Sequence, residues 1–390
     1  MTKLNDLRIL HIDSEGGFGG SSRSLFELAI ELRGSFKSQT VWVRQRGPAL
    51  ERYSKHFIEV YLVREIVSRI PLRANNFKNG LTGLIQFYKF FNFYRRLSKL
   101  TPDIVHFNYD GLLFLAAYTK LLSPEIKTVT HARYKWPNNY SAKICAKLIS
   151  FGSDKIIAIS NDVACSLRDA GVEDEKISIL HNSSSLTKIR YRTKSQLSIL
   201  DQVSISFFGT LNYQKNSTGL IALADELEAR GVPFKIKIYG QPPRYRSLSQ
   251  NLQVYRDALV TRAKSSTQRY NFCVCGHTNR PEEEIASSHF VTRPSILHDP
   301  WGRDVIETMC CGRVIIATGD KSDFVDNGRN GFLVGDWQAK KVASIICSLR
   351  ENPDRYEEIC KNARIDARVL FEPSANSLKF KTLLEELIYH

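Results

Sequence analysis

From Asp299 to Ala317 the chain reads DPWGRDVIETMCCGRVIIA, and few folds can use such a run. Gly302 provides a turn between Trp301 and Arg303, and the residues after it are predicted to form a helix carrying Glu307. Cys310-Cys311-Gly312 then returns the chain almost at once to the β-branched strand Val314–Ala317. A helix closing this quickly onto a strand with no polar position belongs to a βαβ unit, whose strands lie parallel beneath their helices.

The same grammar runs through the rest of the chain. A strand is predicted over Leu7–Ile12, then a glycine-rich loop from Asp13 to Ser21, a helix through Ser24–Arg33, and a returning strand at Thr40–Val43. Ile104–Phe107, Lys127–Thr130, Lys155–Ser160 and Ile177–Leu180 read as further short strands, and Ser160 is placed to cap the helix that follows it. Composition turns polar from His181 to Gln196. A second set then opens with Val203–Phe208 and continues through Phe234–Tyr239, Asn271–Val274 and Val314–Ala317. At 390 residues the chain exceeds one ordinary α/β core. The expectation is two doubly wound Rossmann-like domains facing across a cleft, at residues 1–190 and 191–376. An amphipathic helix over 377–390 would pack back on the first.

Apolar residues make up 43% of the chain and charged ones 24%, and no apolar run is long enough to span a bilayer. The opening MTKLNDLRILHID lacks the apolar stretch of a signal peptide, so a cytoplasmic location is expected. The 8 cysteines show no paired metal spacing, and Cys273 and Cys275 share one side of a strand. No metal or other cofactor is therefore expected. The net charge of +15 is unevenly spread. Arg64, Arg69, Arg73, Lys78, Lys89, Arg95, Arg96 and Lys99 cluster around Phe87-Tyr-Lys-Phe-Phe-Asn-Phe-Tyr, with Glu65 the only acid among them. Cations beside rings suit an anionic membrane face, with Phe90, Phe91, Arg95 and Arg96 as its contacts. The chain contains no nucleic-acid-binding module, and none is expected as a partner.

Several residues stand where parallel sheets bind ligands, beyond the carboxyl ends of their strands. Gly19, Gly20 and Ser21 open a helix whose free N–H groups can take an anion, although no Walker lysine or GxGxxG spacing accompanies them. Lys215 follows the turn at Gly209 and can reach a diphosphate. Arg303 can neutralise phosphoryl oxygens, and its spacing from Glu307 also permits a helix ion pair. His131, His106 and Asn108 close strands and can hydrogen-bond a polar substrate, while Asp110 suits a cap.

Taken together these segments resemble the GT4 family of retaining glycosyltransferases, whose fold is GT-B. The resemblance is strongest at Asp299–Ala317, with support at the glycine-rich start, His131, His181-Asn182, Gly209–Lys215 and DFVDNGRNG at 323–331. It implies that the first domain receives the acceptor and the second holds a nucleotide sugar. Asp299 would orient the transferred sugar, in a place usually held by glutamate, and Glu307 would bind the ribose. The usual basic pair would fall on Gly209's neighbour Thr210 and on Lys215. Thr210 cannot supply the charge, and Arg303 is the expected substitute. Gly302 belongs to the same segment, His131 would contact the sugar, and Gly276 and His277 would lie near the base.

The implied reaction moves a hexose-like unit from a nucleotide sugar to an acceptor hydroxyl with retention, through His131, Asp299, Lys215 and Arg303 and without a metal. The basic aromatic stretch favours a lipid-linked acceptor in envelope, capsule or lipopolysaccharide assembly, met peripherally at the cytoplasmic membrane face. A nucleotide-sugar epimerase and a catalytically weak glycan-binding or assembly protein are the alternatives.

Overall fold

The computed structural model describes residues 3–68, 80–189, 197, 202–241 and 250–389. Arg69, Arg73, Lys78 and the expected crossing at 190–191 lie outside them. The chain forms two compact units, Met1–Ser183 with Pro373–His390, and Ser184–Glu372.

Among its described residues the first unit holds seven strands: β1 (Arg8–Asp13), β2 (Ser38–Val43), β3 (Glu59–Leu62), β4 (Ile104–Phe107), β5 (Lys127–Ala132), β6 (Lys155–Ala158) and β7 (Ile177–Ile179). Their order is β3-β2-β1-β4-β5-β6-β7, and every pairing is parallel. The order reverses between β1 and β4, the switch point at which open α/β sheets take ligands. Alternation along the strands splits the core into two layers. Leu10, Ile12, Val105 and Phe107 pack under Phe93 and Leu97 of the helix Gly80–Leu100. Ile9, Ile104, Val129 and Ile157 pack under Phe380 and Leu384 of the helix Pro373–Tyr389. The last helix of the chain is thus part of the first unit's core. Ser160 caps its helix through a bond from the Val163 N–H at 3.3 Å.

The second unit holds β8 (Val203–Phe208), β9 (Phe234–Tyr239), β10 (Tyr270–Gly276), β11 (Phe290–Arg293), β12 (Val314–Ala317) and β13 (Phe332–Leu333). They are ordered β10-β9-β8-β11-β12-β13, again all parallel, with the switch between β8 and β11. On the other side of β8, the loops that follow β8 and β9 meet so closely that a Cβ at Gly240 would sit 1.8 Å from the Gly209 carbonyl oxygen. Only a residue without a side chain closes that corner.

Among the described residues no helix is long and apolar enough to cross a membrane. The helix Gly80–Leu100 divides the aromatic stretch by face. Phe93 is buried, and Phe90 turns inward, edge-on to Tyr118 with ring centres 5.1 Å apart. The inward turn corrects the expectation that Phe90 lies on the outward face. Phe87, Tyr88 and Phe91 point out, 70%, 65% and 53% exposed, beside exposed Arg95 and Arg96. Arg96 bonds Glu65 at 3.3 Å.

Candidate active site

In the second unit a buried charge cluster forms beyond the ends of β8 and β11. Asn212 caps the short turn Tyr213–Lys215 by accepting the Lys215 N–H at 2.9 Å, which fixes the direction of the lysine. Lys215 Nζ then lies 2.7 Å from Asp299 Oδ2. The same oxygen receives Arg293 NH2, also at 2.7 Å, while Arg293 Nε bonds the Asp299 carbonyl at 2.7 Å. Arg293 NH1 reaches Asp304 Oδ1 at 2.5 Å. A Cβ at Gly302 would come within 2.3 Å of both Arg293 NH1 and Asp304 Oδ1, so the glycine of the Asp299–Glu307 segment makes room for this clamp.

Two cations and two carboxylates leave the cluster formally neutral. Burial alone would raise the Asp299 carboxyl, but Arg293 and then Lys215 hold it well below the usual carboxylate range. Burial would lower Arg293, and Asp304 and Asp299 more than offset that. Lys215 is pushed down by burial and by Arg293, against the pull of Asp299. One oxygen of each acid, Asp299 Oδ1 and Asp304 Oδ2, is buried without a hydrogen-bond partner among the described residues. Such an acceptor is costly unless something supplies a donor.

Arg303 and Glu307 stand apart from the clamp as a buried i,i+4 pair, Nε to Oε1 at 3.1 Å, with side chains 9% and 4% exposed. Thr210 is exposed, and its carbonyl accepts the Asn212 N–H at 2.9 Å. Gly276 ends β10 with φ +75° and takes the Gly240 N–H at 2.7 Å, and His277 beyond it is exposed. The fold therefore joins Lys215 to Asp299 and Arg303 to Glu307. The second cation on Asp299 is Arg293, which sequence reading missed. Its signal was a charged residue at the end of a short apolar run just before Pro294.

In the first unit Gly19 is the N-cap of the helix Gly20–Glu31, and the Ser21 carbonyl accepts Asn108 Nδ2 at 3.2 Å. Arg133, fully buried two residues past His131, donates to the Asn108 carbonyl at 2.7 Å and to Asn182 Oδ1 at 2.8 Å, and also bonds Asn108 Oδ1. Burial lowers its guanidinium to about 10. Asp13 accepts the Tyr53 hydroxyl and the Glu15 N–H, each at 3.0 Å, and burial raises its carboxyl to about 6. Asp110 takes Trp136 Nε1 at 2.7 Å. Arg133, Asp13 and Tyr53 were not singled out from the sequence as site residues.

His131 is 3% exposed and lies in a line of imidazoles across the sheet. Its Nδ1 is 2.6 Å from His106 Nε2, and His106 Nδ1 is 2.9 Å from His11 Nδ1. His11 Nε2 in turn faces Gln39 Nε2 at 3.1 Å. Phe380 lies parallel to the His131 ring, with centres 6.5 Å apart.

Solved structures share this architecture. The Anabaena protein Alr3699/HepE in complex with UDP-glucose is 19% identical, with a TM-score of 0.77 over 97% of this chain and 100% of that one. Sucrose-phosphate synthase from Thermosynechococcus elongatus is 17% identical, with a TM-score of 0.72 over 98% and 99%. The lipopolysaccharide outer core galactosyltransferase WaaB is 14% identical, with a TM-score of 0.66 over 97% and 99%. No curated protein matches the sequence significantly. The two parallel sheets define a GT-B fold. The model of Glycosyltransferase Family 4 matches residues 18–186, and that of Glycosyl transferases group 1 matches residues 191–366. The chain belongs to the GT4-type glycosyltransferases.

Proposed function

We propose that the protein is a retaining hexosyltransferase that takes its sugar from a nucleoside-diphosphate donor held by the second unit. The observation that carries this reading is the Lys215–Asp299–Arg293 clamp, with its orphaned Asp299 Oδ1. Lys215 and Arg293 are the cations for the diphosphate, and Asp299 Oδ1 is an acceptor for a sugar hydroxyl. Glu307, held by Arg303, is the acceptor for ribose hydroxyls. The bond from the anomeric carbon to the diphosphate oxygen breaks as the acceptor oxygen bonds on the same face, and the hydroxyl proton passes to the departing diphosphate. Charge growing on that leaving group is what preorganised cations stabilise. No metal ion is assigned a role. HepE was solved with UDP-glucose, which makes a UDP-sugar the first donor to try.

The acceptor is a lipid-linked or envelope glycan met at a membrane surface. Outward Phe87, Tyr88 and Phe91 beside Arg95 support this, as does a concavity lined by Arg44, Gln45, Arg46 and Arg64 in the same unit. The cytoplasmic membrane face is the assigned location. The test is binding to a panel of nucleotide sugars without added metal, followed by product analysis with extracted lipid acceptors. One selected donor and a lipid carrying the added sugar is the expected result. An isomerised nucleotide sugar with no transfer product would replace this reading with an epimerase.

A further inference from the structure

The imidazole line in the first unit has a direction, and one amide sets it. Gln39 on β2, His11 on β1, His106 on β4 and His131 on β5 belong to four adjacent strands. His11 and His106 are direct register partners, and His131 lies two residues beyond Val129, the partner of His106. Even offsets put all three rings on one face of the sheet, the face covered by Phe380.

Gln39 Nε2 donates to the Ala29 carbonyl at 3.0 Å. Turning the amide over would set Oε1 against that carbonyl, so the nitrogen stays where it is. The cost is visible, because Gln39 Oε1 is buried without a partner among the described residues. The second N–H of the amide faces His11 Nε2, which must then be the unprotonated nitrogen. A neutral His11 carries its proton on Nδ1 and donates to His106 Nδ1. His106 therefore carries its proton on Nε2 and donates to His131 Nδ1. An extra proton on any of the three rings would set two donors face to face.

We propose that Gln39, His11 and His106 are positioning residues that hold His131 as a neutral imidazole with its single proton on Nε2, a hydrogen-bond donor to a substrate oxygen rather than a base. The inference rests on the reading that His131 serves sugar transfer, and it specifies what His131 offers there. His131 Nε2 has no acceptor among the described residues, which leaves the proton for a ligand. Burial acts in the same direction, lowering His11 to about 3 and pushing His106 and His131 well below the ordinary histidine value. Neutral imidazole donors suit an oxygen that gains partial negative charge, because they need no proton from solvent.

The test is long-range nitrogen–proton NMR on the full chain labelled at histidine, near pH 7, with each ring assigned from its own single substitution. The expected pattern is Nδ1–H on His11, Nε2–H on His106 and Nε2–H on His131, all neutral. Any other order in the wild-type protein overturns the relay. Gln39→Glu is the inverting variant: a carboxylate, or a carboxylic acid donating to the Ala29 carbonyl, can only accept from His11. It should move the proton to Nε2 of His11 and to Nδ1 of His106 and His131, and lower kcat at least tenfold with donor binding unchanged. Unmoved protons in a folded Gln39→Glu variant overturn the relay. Inverted protons with full transfer leave the relay standing and overturn the role of His131 in the reaction. Should that variant not fold, the wild-type pattern alone decides the relay.

Discussion

Lys215 and Arg293 donate to one and the same oxygen, Asp299 Oδ2, each at 2.7 Å. Both cations are engaged with a carboxylate before any phosphate arrives. Asp299→Asn should therefore tighten binding of a nucleoside diphosphate about tenfold, equivalent to about 1.4 kcal/mol, while depressing transfer. Calorimetry with UDP, GDP and ADP alongside a transfer assay checks both halves, and unchanged diphosphate affinity would count against charge compensation.

Arg293→Met should destabilise the second unit by about 3–5 kcal/mol, because it leaves Asp299 and Asp304 buried without their shared cation. Arg293→Lys should recover only part of this, since one ammonium cannot span the two acids as a guanidinium fork does. Urea unfolding of both variants measures the difference.

Glu307→Gln should raise the donor KM about 10- to 100-fold with a smaller change in kcat, the size expected for losing hydrogen bonds to a charged group. Its pair with Arg303 is buried, so Arg303→Ala should reduce thermal stability as well as transfer. Donor titrations and melting curves on the two variants separate the effects.

Asp13 gives a pH signature. Burial lifts its folded carboxyl to about 6 from the ordinary 3.8, so the folded state holds a proton that the unfolded chain has released. The stability tied to Asp13 is complete below the unfolded value and is lost as pH rises through about 6. Asp13→Asn should remove up to about 3 kcal/mol of that fall between roughly pH 4 and 6. Denaturant midpoints across this range, compared with the parent protein, show whether the slope flattens.

The aromatic helix yields a contrast between neighbours. Phe91→Ser and Arg95→Gln should weaken partitioning onto phosphatidylglycerol vesicles, the charge change by about fivefold. Phe90→Ser should leave partitioning alone and lower the melting temperature, because Phe90 packs on Tyr118. Vesicle sedimentation and thermal melts of the three variants test the division.

How much of this was legible depended on local pattern. β4, β8, β9 and β12 fall where the sequence places them, because each is a strand-forming run closed by turn residues. β3, β11 and β13 escaped notice: β3 is an edge strand that opens on a charge at Glu59, β11 ends on Arg293, and β13 has only two residues. Missing β11 meant missing Arg293, since an arginine at a buried strand end argues against a strand until its acids are known. Those acids lie 6 and 11 residues further on, at no regular period. The resemblance gave that missing charge to Arg303, which the fold spends on Glu307. The histidine line was still less readable. It needs the register of β1 against β4 and β4 against β5, and pairing between distant strands leaves no mark in either segment.

Phe380 and Leu384 fill the face of the first sheet that carries His11, His106 and His131. A ribosome makes that sheet before this helix. Until that helix emerges, the first half of the nascent protein exposes an apolar sheet face and three rings that water can protonate, while residues 184–372 already contain their own core cluster. The later half can thus finish folding before the earlier one, and a protein truncated ahead of Phe380 would lose function in the first unit, although the cut lies beyond the second.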